Sequence, residues 1–289
     1  MKSLDSRAVR PGLSLVELVV TLVIAGVIGA ALTGLFLNQS RLVQHQEASF
    51  DARSVPRAAM RLLEAELRRL DAEGGVEEAT ATRIAIRVPY AFGVVCGPYS
   101  SGLSVALLPT DSVLLAEADY SGYAWRKADE YYAYVPAGAL TAGTSSDVTT
   151  CTSANLKILD DGQAVRVAPA AAAPSGTPVF LYQRIAYEFR EIPGGSGETE
   201  LWRIVQTTGS EEVVAGPFGP DSRFAFHLPG HATAQAAAPQ LDLIRGIEVV
   251  LEGRSEYPTG PGEPAAAAPL TVSVFCKKRV RWGHPRRRR

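Results

Sequence analysis

Cysteine is scarce in this chain, and no two cysteines are close in sequence. Only three occur in 289 residues, at Cys96, Cys151 and Cys276. Zinc ribbons and dithiol redox sites need two cysteines a few residues apart, so this spacing excludes both. Charge of one sign is also missing, since 29 basic and 30 acidic residues leave a formal net charge of −1. No overall field therefore directs the protein to nucleic acid or acidic lipid.

Motifs of the common catalytic and cofactor sites are absent as well. The chain has no P-loop, HExxH, GxSxG or GxGxxG pattern, so we predict no catalytic residue, no cofactor and no enzymatic activity. Asp160-Asp161-Gly162 lacks the further acidic positions of a calcium loop and predicts a turn. The histidines have no cysteine or carboxylate at ligand spacing, which favours exposed polar side chains over a metal site: His45, His227, His231 and His284.

A long apolar run near the N-terminus is what the sequence does contain. Between residues 13 and 37 the only charged residue is Glu17. A helix over this range is roughly 37 Å long, and a bilayer core is about 30 Å thick. The apolar core of a secretory signal is shorter, at roughly 7–15 residues. We predict a transmembrane helix over 13–37, with an ordinary secretory signal and a plain anchor as alternatives.

The flank of this run predicts its orientation. Lys2, Arg7 and Arg10 precede the run, and basic flanks stay cytoplasmic, so the bulk of the chain should lie outside the cytoplasm. Glu17 would then be a carboxylate in lipid, which is disfavoured by roughly a few kcal/mol or more. Its cationic partner could come from another chain, or from a new amino terminus made by cleavage after Gly12.

The motif from Gly12 to Glu17, followed by an apolar helix, resembles the class III signal of type IV prepilins and of type II secretion pseudopilins. The resemblance implies that a prepilin peptidase cuts after Gly12 and that Leu13 becomes the N-methylated first residue. Glu17 would be the assembly carboxylate, which meets the terminal amine of a neighbouring subunit. The family usually has phenylalanine at the position of Leu13. Many major pilins have a helix-breaking proline where this chain has Gly34, which weakens a helix by about 1 kcal/mol relative to alanine.

The next segment, 38–72, predicts the second half of the same helix. Apolar residues recur at spacings of three and four and form one face: Ala52, Val55, Ala59, Leu63, Leu67 and Leu70. Arg57, Arg61 and the i,i+4 pair Glu64–Arg68 lie on the other face. Pro56 indicates either a kink or a fresh first turn capped by Ser54. We expect the helix to end near Asp71.

Residues 73–280 predict a β-rich domain, and the fold class is α+β: a long N-terminal helix packed on antiparallel sheet, with two sheet sections. Residues 193–198 read as a hairpin loop, and Asp161-Gly162 as a turn. Residues 170–176, 232–239 and 258–269 are alanine- and proline-rich surface loops, and 144–155 is a Ser/Thr-rich loop. Candidate strands cover 83–88, 103–108, 112–118, 130–135, 163–168, 184–192, 200–206, 211–216, 244–254 and 270–280.

The order of these parts is similar to that of the larger minor pilins of the PilW type and of J-type pseudopilins. Residues 187–226 resemble their central hairpin, and 244–280 their closing hairpin. The resemblance implies a leader at 1–12, a single pass through a bacterial inner membrane, a periplasmic domain, and later incorporation into a pilus or pseudopilus. Implied partners are the prepilin peptidase and other pilins or pseudopilins.

The cysteines suit an oxidising compartment. We favour a disulfide between Cys96 and Cys151, which would stabilise the fold by about 4 kcal/mol. Cys276 competes as a partner, and three free or buried thiols are the alternative. The odd cysteine would be a buried thiol or an intermolecular link.

Two further stretches admit a binding role. Residues 119–135 are rich in tyrosine, and they could bind a ligand or a neighbouring subunit, although strand packing is favoured. The tail 281–289 ends in Arg286–Arg289 and could touch DNA or lipid headgroups, although a solvated tail is favoured. Our leading expectation is a minor pilin that primes or caps a type IV pilus. Alternatives are a minor pseudopilin of type II secretion, an adhesin or DNA-binding pilin, and a membrane-anchored periplasmic enzyme or sensor.

Overall fold

The fold is described from a computed structural model of the chain. The structure describes residues 15–71, 73–116, 118–128, 131–194, 197–259 and 262–276. Gly12, Leu13 and the basic tail 281–289 lie outside these residues. The predictions made for them are therefore not addressed by the fold.

One long helix, α1, forms the N-terminal part of the structure. It runs Leu15–Leu67, 53 residues, and so is roughly 80 Å long. The predicted membrane and amphipathic segments are thus one continuous helix. α1 ends four residues before the expected end at Asp71. There the chain tightens into a last turn, in which the N–H of Leu70 donates to the carbonyl of Leu67 at 3.2 Å.

Pro56 lies inside α1 and does not end it. The hydroxyl of Ser54 donates to the carbonyl of Asp51 at 3.2 Å, so Ser54 does not cap a new helix as one alternative required. The ring of Pro56 is buried against Gly253 of the sheet. Proline has no backbone N–H to donate within the helix. This loss is tolerated here because the ring packs closely on the domain.

Thirteen strands in the described ranges form one sheet, and every pairing between them is antiparallel. This agrees with the α+β class predicted from the sequence. The strands are β1 (Val76–Ala79), β2 (Arg83–Tyr99), β3 (Gly102–Leu107), β4 (Gly122–Arg126), β5 (Tyr132–Pro136), β6 (Leu140–Ala142), β7 (Gln163–Val167), β8 (Pro178–Glu191), β9 (Thr199–Val205), β10 (Ser210–Phe218), β11 (Arg223–His227), β12 (Gly246–Pro258) and β13 (Ala265–Phe275).

The two largest hydrophobic cores lie along this sheet, and the long strands β2 and β8 contribute to both. The first core packs α1 against the sheet, with Leu63, Ile86 and Leu251 among its members. The second contains Val105 and Leu181 and lies at the other end of β2 and β8. The two sheet sections expected from chain length are thus two cores on one continuous sheet.

Two segments form helices against expectation. Residues 112–118 were predicted as a strand, but α2 (Pro109–Leu114) occupies their start. Proline is favoured at the first position of a helix, and the carboxylate of Asp111 accepts a hydrogen bond from the N–H of Phe92 at 3.0 Å. The predicted loop 144–155 contains α3 (Ser145–Ser153), which begins at a capping box of Thr144 and Asp147. A short 3₁₀ turn, Leu241–Leu243, precedes β12.

The predicted loop 258–269 is also wrong over its second half. Ala265 to Pro269 belong to β13 and pair with β12, with Glu252 opposite Pro269. Proline is tolerated in an edge strand when its nitrogen faces away from the ladder. β8 and β9 pair antiparallel on either side of the predicted hairpin loop at 193–198, of which residues 195 and 196 lie outside the described residues. The Asp161 turn is closed by the Gly162 N–H, which donates to the Leu159 carbonyl at 2.9 Å.

Candidate functional site

The first two thirds of α1 project from the rest of the structure. All residues from 15 to 47 are exposed, and Ala48 is the first buried residue of the helix. This projection is roughly 50 Å long. Leu15 is 80% and Phe36 67% exposed. Apolar surface of this extent is unfavourable in water, so this segment requires a membrane or protein partners.

This projecting segment meets the requirements for crossing a bilayer. Among the described residues, α1 is the one helix long and apolar enough, with a mean hydropathy of 2.5 over an 18-residue window. The hydroxyl groups of its two threonines are satisfied internally. Thr21 donates to the carbonyl of Leu18 at 2.9 Å, and Thr33 to that of Gly29 at 2.8 Å. The backbone is satisfied by the helix itself, as lipid demands.

Glu17 lies in the first turn of α1 and is exposed. It is the only ionisable residue between Leu15 and Leu37. A carboxylate at this end is favoured by the helix dipole, whose N-terminus is positive. Gly12 and Leu13, the other two residues of the predicted processing and assembly site, precede the described residues. The site is therefore structurally defined at Glu17 alone.

A ridge of small residues on the same helix was missed in the sequence. Gly26, Ala30 and Gly34 follow one another at intervals of four, so they lie on one face of α1. A side-chain carbon added at Gly26 or Gly34 would meet nothing within 4 Å. Small residues at this spacing let membrane helices approach closely. The spacing itself is readable from the sequence and would have predicted the ridge.

Cys96 and Cys151 form a disulfide across 55 residues, which is the pairing that the sequence favoured. It joins β2 to α3. Cys276 is a free, half-buried thiol, and burial raises its pKa. The disulfide fixes α3 against the second core, far along the chain from α1.

Asp147 of α3 is buried in a network of polar contacts beside that disulfide. Its carboxylate accepts hydrogen bonds from the Thr144 N–H at 2.7 Å and from the Ser104 hydroxyl, and Arg166 Nε lies 2.9 Å away. Burial alone would raise the pKa of Asp147, but these donors outweigh it and hold the pKa well below its usual range. The donors around the Asp147 carboxylate all come from the fold itself, so the network stabilises the fold.

The tyrosine-rich stretch 119–135 is largely used for packing. Tyr123 is fully buried, its hydroxyl donates to the Pro169 carbonyl at 2.6 Å, and burial raises its pKa to about 12. Tyr132 and Tyr134 pack on Phe180, with ring centroids 4.7 and 5.9 Å apart. The stretch thus supplies β4 and β5, as strand packing requires.

The histidines do not converge on a site in the described residues. His227 Nε2 lies 3.6 Å from a Glu248 oxygen, and its ring stacks on Phe275. It is thus half-buried, which corrects the expectation of an exposed side chain. No group of three His, Cys, Asp or Glu residues in the described ranges is arranged to hold a metal ion. His284 lies outside them.

Comparison of this chain with protein-family models, with curated proteins and with solved structures finds no match.

Proposed function

We propose that this protein is a minor pilin, a non-enzymatic subunit that primes the assembly of a type IV pilus or sits at its tip. The observation that carries the proposal is the projecting part of α1. It is roughly 50 Å of exposed helix, apolar to Leu37, with Glu17 as the one ionisable residue of its apolar part. The sequence immediately before it holds Gly12 and Leu13, which resemble a prepilin cleavage site.

The proposed working state follows from the physics of that segment. Before assembly, lipid covers the apolar surface of α1, and a carboxylate in lipid is disfavoured by roughly a few kcal/mol or more. After cleavage, the amine of Leu13 on a neighbouring subunit supplies the opposite charge. Pairing costs the Glu17 carboxylate and the Leu13 amine little further hydration, because both groups already lie in or beside the membrane. The ridge of Gly26, Ala30 and Gly34 lets the two helices come close enough.

The β-rich domain stays outside the cytoplasm in this proposal, on the side opposite the basic leader. An oxidising compartment there suits the disulfide between Cys96 and Cys151. The same arrangement serves a minor pseudopilin of a type II secretion system equally well. Co-purification from membranes distinguishes the two, through the pilins or the secretion components that accompany the chain.

Processing is tested by replacing Gly12 with valine in the full chain. The wild-type protein should lose residues 1–12 when the prepilin peptidase is present, which intact-mass measurement detects directly. Gly12→Val should keep them. Leu13→Ala, which alters the other side of the bond, serves as a comparison. Removal of the same twelve residues from Gly12→Val would overturn the cleavage site.

Assembly is tested by replacing Glu17 with glutamine, which keeps size and removes charge. We expect Glu17→Gln to insert in the membrane normally. The amount of it that is co-isolated with other subunits should fall at least tenfold. Thr21→Val is the matched control, since the Thr21 hydroxyl bonds only within its own helix. Filaments and co-isolation at wild-type levels in Glu17→Gln would exclude a docking role. Such a result would favour a plain membrane anchor.

A further inference from the structure

The part of α1 that lies beyond the apolar run has an outward face with two parallel ridges. Residues four apart lie along one line of a helix surface, so each set forms a continuous ridge. The basic ladder consists of Arg53, Arg57 and Arg61, all exposed. The apolar ridge consists of Phe50, Ala58 and Leu62, with the polar, half-exposed Ser54 between the first two; Phe50 is 71% and Leu62 39% exposed.

The two ridges border one shallow groove on the helix surface. Its lining includes Phe50 and Ala58 from the apolar ridge and all three arginines of the basic ladder. The opposite face of the same turns is buried against the domain, at Ala52, Pro56 and Ala59. The groove is therefore a surface of α1 that its own sheet does not cover.

The basic ladder has no acidic partner within the part of the chain that the structure describes. No described carboxylate lies within ion-pair distance of Arg53, Arg57 or Arg61, whereas Arg68, one residue past the end of α1, pairs with Glu64. Like charges one helical turn apart destabilise a helix. The ladder is thus unfavourable for the isolated chain, and an acidic surface would relieve the repulsion.

The acidic residues of α1 do not fill this role. Glu66 is held by Tyr187 and Arg203 on the sheet side. Glu47 and Asp51 line a separate groove beside Tyr257 at the end of β12. Positive charge and exposed apolar surface are therefore concentrated together on the outward face.

We propose that this face docks an α-helix of another membrane-anchored chain, which carries an apolar seam flanked by Asp or Glu at one-turn intervals. The apolar ridge would pack in that seam, and the arginines would pair with the flanking carboxylates, as charged flanks select partners in paired helices. This proposal rests on the proposed function, in which other chains anchored in the same membrane present helices parallel to α1.

Height above the membrane separates this partner from lipid. Arg53 lies sixteen residues beyond Leu37, the last residue of the apolar run, which is roughly 24 Å along the helix. The headgroup layer on each side of a bilayer is only about 5–8 Å thick. An upright α1 therefore holds the basic ladder well above lipid phosphates. Nucleic acid would engage the arginines but leave the aliphatic part of the ridge without a partner.

Binding is tested with the full chain in nanodiscs of neutral lipid and with two synthetic helical peptides. Both peptides carry the same leucine seam, flanked at three successive turns by glutamate in one and by lysine in the other. We expect the glutamate peptide to bind at least tenfold more tightly, and Arg57→Glu to reverse this order. Arg69→Glu is the control, because Arg69 is exposed but lies beyond the end of α1. Equal binding of both peptides, or a preference unchanged in Arg57→Glu, would overturn the proposal.

A single-stranded oligonucleotide is the third probe in the same assay. Tighter binding of the oligonucleotide than of the glutamate peptide, with the same loss in Arg57→Glu, would assign the ladder to nucleic acid and overturn a helix partner. Ala58→Trp separates the two outcomes further. A bulky ring on the apolar ridge should weaken binding of the glutamate peptide by at least tenfold and leave binding of the oligonucleotide nearly unchanged.

The partner itself is tested by a photo-crosslinking residue at position 58 of the full chain, in membranes of the cell that makes it. We expect an adduct with a helix of another anchored chain that has acidic flanks. The adduct should be lost in Arg57→Glu and restored when a flanking carboxylate of the partner becomes lysine. The control crosslinker is at Ala267, an exposed position of β13.

Absence of the adduct, or an adduct with lipid or a second copy, would overturn the proposal. The mass of the chain in the same samples shows whether residues 1–12 were removed. A normally processed chain without the adduct therefore contradicts the docking face alone, and an unprocessed chain contradicts the proposed function.

Discussion

Gly253 of β12 lies directly against Pro56 of α1. A side-chain carbon at residue 253 would lie only 2.5 Å from the Pro56 Cδ, and the carbonyl of Ala52 is also in its way. Glycine removes the one group that would hold the helix off the sheet. The crossing of α1 over β12 therefore depends on this pair, and so does the direction in which the rest of α1 projects.

Gly253→Ala should destabilise the domain by about 1–3 kcal/mol, because a well-packed contact between backbone and ring has no space for a methyl group. Chemical denaturation monitored by tryptophan fluorescence measures the change. Thr271→Ala on the neighbouring strand is the control, since that side chain is exposed. If Gly253→Ala and Thr271→Ala have the same free energy of unfolding, the close contact between α1 and β12 does not contribute to stability.

Cys151→Ser should destabilise the oxidised protein by about 4 kcal/mol, because the disulfide closes a loop of 55 residues in the unfolded chain. Cys276→Ser should change the free energy of unfolding by less than about 1 kcal/mol, since that thiol is free and only half-buried. Reducing agent should lower the free energy of unfolding of the wild type to that of Cys151→Ser. If the reductant has no effect on the wild type, the bond contributes nothing to stability.

Asp147 should make stability depend on pH under acidic conditions. Its folded pKa is depressed below the unfolded value of about 3.9. Its contribution is therefore fully present above the unfolded pKa and is lost as pH falls through the folded one. The melting temperature of the wild type should fall more steeply below about pH 4 than that of Asp147→Asn.

At neutral pH, Asp147→Asn should lower the free energy of unfolding by about 2–3 kcal/mol, because hydrogen bonds to a charged group are lost. Asp161→Asn, at an exposed turn, serves as the control for removal of a carboxylate. Parallel pH profiles of the melting temperature for the wild type and Asp147→Asn would show that protonation of Asp147 is not coupled to unfolding.

Glu66 should couple α1 to the sheet. Its carboxylate accepts a hydrogen bond from the Tyr187 hydroxyl at 2.7 Å and lies 3.2 Å from an Arg203 nitrogen. Glu66→Ala should destabilise by about 2–3 kcal/mol, and Tyr187→Phe by about 1 kcal/mol. In the double variant the two losses should not add, since both remove the same bond. Strict additivity in calorimetry would contradict this coupling.

Segments with a strong local pattern could be predicted from the sequence, and segments with a weak one could not, for a physical reason. Periodicity and composition are local properties, so the apolar run, the amphipathic stretch around Leu63 and the alternating strands such as 103–108 were readable in the sequence. Segments with weak periodicity depended on contacts that are distant in sequence. Residues 112–114, the start of the predicted strand 112–118, became part of a helix through Pro109 and the hydrogen bond that the Phe92 N–H donates to the Asp111 carboxylate. The alanines at 265–268 became a strand only because β12 lies beside them.

The sequence by itself determined the apolar segment and the position of Glu17 as the one ionisable residue within it, because both depend on residue type and spacing alone. The candidate cleavage site at Gly12 rests on the resemblance to prepilins. The tertiary structure decided which face of α1 the domain covers. Gly253 and the first core bury one side of the helix, and this leaves Phe50, Arg53, Arg57 and Arg61 together on the other. Exposure is a property of packing between distant elements, so no local pattern contains it.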